Sequence, residues 1–559
     1  MPITGRAAML ADGLGREPRF FLNADERGGT GPNGKPSFAT DMAAYQITRS
    51  DATWGVSAVV TYAFRATSAG MPTDISTFSQ FTSTQITATL LALQSWSDLA
   101  NITFTRVGSG TSGPAAYSDN ATILFGNYSN GADGAAAFAY YPGDTSVSAV
   151  DGDVWVNITQ SNNMSPLLNG YGRQTLVHEL GHAIGLDHPG DYDAGAGTPT
   201  YTTDAVYYED SRQYSLMSYW SASNTGGDFH GFYASAPLLD DIASIQLIYG
   251  ENMSTRTGDT VYGFNSNTDR DFYTATSGSS ALIFAVWDAG GYDTLDFSGY
   301  SSSQIIDLRQ GHFSNVGGMV GNVTIAMGAV VERAIGGSGA DTLYAAATLN
   351  SVSVDDLTKA QSTANSSRAT AVSIDGAFDM LFDSTVPFSL WRPHASVNAV
   401  ANGSGVEYYA FTVSEAGAVG TFDLDGVDLG VDGYIVIYDQ NGNIVAEADD
   451  RDAIDPGSAT RYDPLLTFVF NTAGVYYVGV KQYSASGDLP MDAGVAYTLN
   501  VSLSSATVTG TYSGSWLEGG GGNDRLEGNV GSDALFGGSG DDTLIGGGHD
   551  ASAPDYFFG

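Results

Sequence analysis

Apolar positions recur every three or four residues in STQITATLLALQSW, so that Ile86, Leu90, Leu93 and Trp96 fall on one face. That spacing predicts an amphipathic helix with a single buried stripe. A second helix is predicted over APLLDDIASIQLIYG (236–250), stopped by Gly250. VVTYAF (59–64), ITFTRV (102–107), ATILFG (121–126) and DVWVNI (153–158) are short aromatic and β-branched runs that predict strands. Helix and strand signals interleave from about Gly34 to Gly250, as in an α/β or α+β domain.

Beyond Gly250 the pattern becomes short β runs set among Gly and Asp. GGSGADTLY (336–344) fits the nine-residue unit G-G-x-G-x-D-x-U-x, with U a large apolar residue. The unit returns in tandem as GGGGNDRLE (519–527), GNVGSDALF (528–536) and GGSGDDTLI (537–545), and a fourth copy decays after Gly546. A Ser/Thr/Ala-rich stretch, roughly 345–370, reads as a linker. After it, YYAFTV, GTFDLDG, GYIVIYDQNGN, LLTFVF, GVYYVGV and AYTLNVSL alternate as the strands of a β-sandwich over 370–505.

At 559 residues the chain is too long for one domain. Its net charge of -40 argues against gripping nucleic acid or an anionic membrane through a basic face. Much of that charge is Asp in Gly-rich company, which points to calcium as the neutralising partner. There is no cysteine, so packing and metals must staple the fold. No segment approaches eighteen consecutive apolar residues, and no membrane span is expected. Asp12, Gly13 and Gly15 break up the apolar character of the N-terminus, so a Sec signal peptide is not expected.

The chemistry concentrates in HELGHAIGLDHP (178–189). On a helix His178 and His182 project from one face and can take two corners of a tetrahedral zinc. Glu179 lies beside the first of them, within reach of a zinc-activated water without ligating. Gly185 can end the helix in the left-handed conformation and turn the chain back, bringing His188 round as third ligand; Pro189 discourages further helix. The other four histidines, His230, His312, His394 and His549, read as ordinary surface residues.

In the repeats, glycines let backbone carbonyls approach an ion while Asp supplies a carboxylate. The candidate calcium ligands there are Gly520, Gly522, Asp524, Gly531, Asp533, Gly538, Gly540 and Asp542, with Leu343, Leu526, Leu535 and Leu544 pointing inward. Asn529 stands where a glycine is expected and is read as tolerating positive φ. Ions shared between successive turns would make folding depend on calcium.

HELGHAIGLDHP followed by SLMSYW (215–220) resembles the serralysins among the metzincin metalloproteases. The likeness runs from GKPSF (34–38) through QSWSDLANITFT (94–105) to GGSGADTLY. It implies a multidomain protein: an α+β metzincin-like catalytic domain (31–250), a parallel β-roll (251–350 and 511–559) and the inserted all-β sandwich. Residues 1–30 would include a propeptide. Met217 would form the Met-turn, Glu179 would be the general base, and Tyr219 a switchable zinc ligand that hydrogen-bonds the transition state. The family pattern carries calcium ligands onto Arg256, Gly258, Thr260, Asp288, Gly290, Gly291, Asp293, Glu332, Gly337, Gly339 and Asp341, the arginine and glycines through their carbonyls. The activity implied is hydrolysis of extracellular proteins by a secreted, monomeric zinc endopeptidase. Type I secretion machinery and a small protein inhibitor would be its partners.

VEYYAFTV, DGYIVIYDQNGNIVAEADD and AGVYYVGV resemble the bacterial pre-peptidase C-terminal domain. The acidic run Asp449, Asp450 and Asp452 within it reads as a solvated loop ahead of a calcium site. DYFFG at the end resembles a type I secretion terminus or belongs to a further repeat. From another class, a calcium-dependent surface or adhesion module with an inactive protease domain remains an alternative. The intact Glu179 and histidines count against it.

Overall fold

Five strands of the first half build one sheet, and four helices frame it. The elements are α1 (Thr40–Ile47), β1 (Val59–Phe64), α2 (Ser83–Ser97), β2 (Thr103–Arg106), β3 (Ile123–Tyr128), β4 (Ala137–Ala139), β5 (Val154–Asn157), α3 (Tyr171–Ala183) and α4 (Leu239–Tyr249). The sheet order is β2-β1-β3-β5-β4, with every pairing parallel except that of β4 with β5. The central strands β3 and β5 are buried at every position, which is why their sequences are mostly apolar runs rather than alternating. α2 starts at Thr82, whose hydroxyl accepts from Gln85 N while the Gln85 side chain reaches back. Ile86, Leu93 and Trp96 are buried as the stripe predicts, whereas Leu90 is only half-covered.

The computed structural model describes residues 20–143, 150–193, 198–346, 348–427, 431–450, 457–458, 462–483, 489–547 and 554–559. The chain divides into two compact units, one running to Thr348 and resuming at Tyr512–Gly559, the other Leu349–Thr511. Within the first unit, the N-terminal segment is integral from Phe21 on. Phe21 and Leu22 are buried, Leu22 exchanges hydrogen bonds with the Tyr214 hydroxyl, and Arg27 holds Asp240 of α4 at 2.8 and 2.9 Å. Removal of residues 1–30 would take this packing with it.

The Gly/Asp-rich part of that unit forms parallel ladders. One sheet runs, in order, through Tyr556–Phe558, Ala534–Ser539, Trp516–Gly521, Arg333–Ile335, Thr294–Asp296 and Val261–Gly263. Another runs through Ile305–Asp307, Thr342–Tyr344, Arg525–Glu527 and Thr543–Ile545. Strands on either side of the 349–511 unit are direct neighbours, Arg333 opposite Trp516 and Thr342 opposite Arg525. Leu343, Leu526 and Leu535 are fully buried, while Leu544, on the last strand of its sheet among the described residues, is half-exposed.

Each repeat aspartate spans one full turn of the ladder: its Oδ1 accepts the N–H of the residue stacked before it. Gln304 donates to Asp341 at 2.8 Å, Asp341 to Asp524 at 2.8 Å and Asp524 to Asp542 at 3.0 Å. Ser515 donates to Asp533 at 2.7 Å, and Asp533 to Asp555 at 3.1 Å. Asp555 thus takes a repeat position, and the residues after it add a strand, favouring the further-repeat reading of DYFFG. Asn529 does not adopt positive φ; its turn is held instead by its N–H, which donates to Asp533 Oδ2 at 2.8 Å.

The second unit contains two five-stranded sheets. Their orders are Leu357–Lys359, His394–Val400, Ala496–Leu503, Ala418–Asp425, Leu465–Phe470, and Val372–Ser373, Glu407–Val413, Gly474–Gln482, Gly433–Tyr438, Ile444–Ala448. Alternate residues of both, among them Phe411, Phe422, Val478 and Leu499, fill one core. The stretch expected to be a linker supplies an edge strand instead, Leu357–Lys359, because Lys359 is drawn inside to pair with buried Glu407. Two of the histidines expected at the surface are also inside: His394 begins a core strand, and His312 lies 3.2 Å from Asp25 and 3.4 Å from Asp307. His230 is half-exposed, and His549 lies outside the described residues, as does Asp452. Asp449 and Asp450 sit at the surface, beside Asp432.

Candidate metal centre

α3 carries His178 and His182 one turn apart and ends at Ala183. Gly185 then adopts φ +109, a conformation open to glycine, with Ala52 O so close that a Cβ would stand 2.0 Å from it. Leu186 N returns to Gly181 O at 2.9 Å, and the reversed chain delivers His188. The three Nε2 atoms converge, His188 lying 3.2 Å from His178 and 3.1 Å from His182. Zinc–nitrogen bonds of about 2.0–2.1 Å at a tetrahedral angle place ligand atoms roughly 3.3 Å apart, so the set fits such an ion.

Each imidazole is fixed from behind. The Nδ1 of His178 pairs with Leu216 O at 3.0 Å, that of His182 with Leu186 O at 2.6 Å, and that of His188 with Tyr192 O at 2.8 Å. A carbonyl can only accept, so every Nδ1 keeps its proton and every Nε2 lone pair faces the centre. Burial pushes His178 down to about 3 and His182 to about 4, and His188 well below its ordinary value, so all three are neutral.

Met217 lies directly beneath this pair of histidines, fully buried. A Cβ on Gly181 would stand 2.6 Å from its sulfur, so the glycine between the two histidines is what lets the methionine in. Asp241 anchors the turn from α4, accepting from Ser215 Oγ at 2.6 Å, Leu216 N at 2.7 Å and Leu238 N at 2.8 Å. Asp210 ties the other side, accepting from the Tyr192 hydroxyl at 2.8 Å, Ser218 Oγ at 2.7 Å and Trp220 Nε1 at 3.0 Å. The Tyr219 ring packs edge-on against His188, centroids 4.4 Å apart, Tyr192 stacks on the same histidine at 5.2 Å, and the two tyrosine rings touch each other at 5.0 Å.

Glu179 faces the same cleft, a cavity of about 850 Å³ that the three histidines and Tyr219 also line. Burial alone raises its carboxyl to about 8. The histidines, Glu179, Met217 and Tyr219 are therefore brought together as one site.

The second group of sequence candidates clusters separately. Asp293 Oδ1 accepts from Thr260 N at 2.8 Å, Glu332 Oε2 accepts from Asp293 N at 2.7 Å, and Asp288 Oδ1 accepts from Gly290 N at 2.9 Å. A Cβ on Gly291 would lie 2.7 Å from the Gly258 carbonyl. Asp293 Oδ2 is buried without a hydrogen-bond partner, an acceptor that a cation would satisfy. The side chain of Arg256 is turned to Asp98 and Trp287 O, leaving only its main chain for the cluster. In the repeats Gly520, Gly522, Gly531, Gly538 and Gly540 all take positive φ, Gly337 and Gly339 do not, and Asp524 Oδ2 is another buried acceptor without a partner. Asp341 Oδ2 and Asp533 Oδ2 accept from Gly337 N and Asn529 N, and Asp542 closes the last such turn.

Asp210, Asp241 and Tyr192 escaped the sequence reading. Asp241 carried one usable signal, an acid in the first turn of a helix otherwise rich in Ile and Leu; Asp210 and Tyr192 carried none.

Three family models match the chain: Matrixin over 53–209, Peptidase M10 serralysin C terminal over 251–423, and the RTX calcium-binding nonapeptide repeat over 510–549. Serralysin C of Dickeya chrysanthemi is 56% identical over 330 residues, 58% of this chain and 68% of the relative. Serralysin A of the same organism is 54% identical over 330 residues, covering 58% and 67%. Metalloprotease AprA of Pseudomonas entomophila (strain L48) is 50% identical over 343 residues, covering 59% and 68%.

Proposed function

This chain belongs to the serralysin family of zinc metalloendopeptidases with calcium-binding repeats, and we propose that it is secreted and cuts extracellular proteins with Glu179 as general base. His178, His182 and His188 would hold the zinc, with Tyr219 as a further, exchangeable ligand. When bound, zinc polarises the scissile carbonyl and lowers the pKa of a water towards 7. Glu179, whose carboxyl burial raises in the metal-free site, would be held as the carboxylate by the charge of the bound zinc; it accepts a proton from the attacking water and hands it to the leaving amine. The Tyr219 hydroxyl donates a hydrogen bond to the developing oxyanion. Met217, Asp241 and Asp210 act on none of the reacting atoms; they hold the loops on which the histidines and Tyr219 stand.

The observation that carries this reading is the convergence of three neutral Nε2 atoms, each held from behind by a carbonyl, in a cleft that also contains Glu179. Calcium, on the same reading, is structural. The ladders before and after the 349–511 unit form a single parallel β-roll, and that unit is an inserted β-sandwich like the pre-peptidase C-terminal domain. The Gly and Asp residues of the turns, with Arg256, Thr260, Asp288, Asp293 and Glu332, would be its ligands. Casein zymography with and without a zinc chelator tests the function: clearing that the chelator abolishes is expected, and no clearing in either lane would leave the adhesion-module reading in its place.

A further inference from the structure

Behind the Glu179 carboxylate a second cavity of about 400 Å³ opens, lined among others by Tyr171, Gln174, Thr175, Arg212, Tyr219 and Trp220. It shares His178 and Glu179 with the main cleft, so a side chain that enters it belongs to a residue flanking the bond being cut.

Arg212 is one of the few described arginines with no carboxylate partner, and unlike Arg49, Arg106 and Arg368 it does not have its Nη atoms on carbonyls. Arg27, Arg65, Arg256, Arg270, Arg309 and Arg333 each have a carboxylate within 4.0 Å. In a chain with 61 acidic against 21 basic residues that is the expected condition. Among the described residues Arg212 has none. Its neighbours are the rings of Tyr171 and Tyr233, at 5.9 and 5.6 Å, and only its Nε is engaged, by Ser218 O at 3.1 Å. Among the described residues the Nη atoms have no acceptor. Burial lowers the pKa of this guanidinium, the mark of a charge short of a counter-charge.

Gln174, on the same wall, is 3% exposed, and its Oε1 has no hydrogen-bond partner. Its amide can turn over to present either a donor or an acceptor to the cavity. The outer cleft has the opposite character. It is lined by Asp74, Asp191, Asp193 and Asp204, and its arginine, Arg49, is committed to the carbonyls of Gln46, His188 and Gly190.

We infer that Arg212, with Gln174 beside it, is the specificity-determining pair of an inner subsite that takes an acidic side chain, Glu or Asp, next to the scissile bond. A carboxylate there would be bound by both Nη atoms at once, the two-point geometry that a guanidinium offers and an ammonium does not. The outer cleft would repel the same side chain. This inference rests on the endopeptidase reading above.

The test uses the full chain loaded with zinc and calcium, and quenched fluorogenic peptides that differ only in the two residues flanking the cut. Each of those positions carries Glu, Gln or Leu in turn. At one of them kcat/KM for Glu should exceed that for Leu by about tenfold or more, because a site built around a charged donor discriminates against ligands that leave it unmatched. Arg212→Leu should bring the Glu-to-Leu ratio to about one, whatever it does to absolute rates, and Arg212→Lys should fall between. A purely structural role, through Ser218, would slow all peptides together and leave the ratio unmoved; that outcome overturns the proposal. So does a wild-type enzyme with no preference for Glu at either position, a result that needs no variant to fold. If the wild type cuts none of the peptides while zinc is bound, it is the endopeptidase reading that fails, and this one with it.

Discussion

At the end of α3 three imidazoles meet as neutral groups, and in the turns of the parallel ladders carboxylates meet as like charges. The first region is complete before any ion arrives: backbone carbonyls fix each ring, Met217 fills the space below, and no charge repels another. In the second, burial first and neighbouring carboxylates next hold Asp293, Glu332, Asp341 and Asp524 above the usual carboxylate range. Glycine backbone, which loses more conformational entropy than any other residue on ordering, adds to that cost. A metal centre can thus be built by the fold, or the fold can be built by the metal. On the function proposed above, this chain would use one arrangement for chemistry and the other for shape.

The largest effect should come from the centre that is already built. Glu179→Ala removes the carboxylate assigned as base without touching a histidine, so zinc content should stay at one per chain while peptide hydrolysis falls by about 10³-fold or more. A variant that keeps more than a few per cent of the activity would take Glu179 out of the base role. Removing calcium with a selective chelator probes the other region. Amide exchange should accelerate by at least about 10²-fold in the strands of 261–345 and 516–545, and much less in β3, β5 and α3. Uniform acceleration, or none, would erase the distinction drawn between the two regions.

The sequence carried the chemistry better than the architecture. HELGHAIGLDHP is legible because its spacing encodes a helix, a stop and a return, all local events. The repeats are legible because their period is the turn of a ladder. What could not be read is whatever depends on distant partners. Lys359 in a Ser/Thr/Ala-rich stretch gives no hint that Glu407 will draw it inside, and His312 looks like any histidine until Asp25 and Asp307 close on it. Arg27 likewise carries no local sign of its pairing with Asp240.

That pairing is the next test on the side of the built centre. Arg27 and Asp240 are both fully covered, and Asp240 precedes the aspartate that anchors the Met217 turn. Arg27→Met leaves a buried carboxylate alone and should cost about 3–5 kcal/mol in urea unfolding. A loss below about 1 kcal/mol would mean that the N-terminal segment is a bystander.

The smallest effect concerns an acid in the ladders that has found a protein cation instead of calcium. Asp307 ends the strand Ile305–Asp307, 2.8 Å from Arg309 Nε and 3.4 Å from His312. Burial by itself would raise its carboxyl, but the hydrogen bonds from Arg309 and His312 outweigh it and hold the group at about 2, against an ordinary 3.8. The folded state therefore binds its proton less readily than the unfolded state does. The stability this supplies is fully present above pH 4 and fades as pH falls towards 2. Its size at neutral pH is roughly 2 kcal/mol. Asp307→Asn should lower stability by about that much at pH 7, and the gap from wild type should narrow steadily below pH 4. Calcium should not change the gap, because Arg309 already supplies the counter-charge that the turn aspartates lack. A gap that widens in acid, or that closes when calcium is added, would place Asp307 among the calcium-dependent acids and blur the line between the two kinds of site.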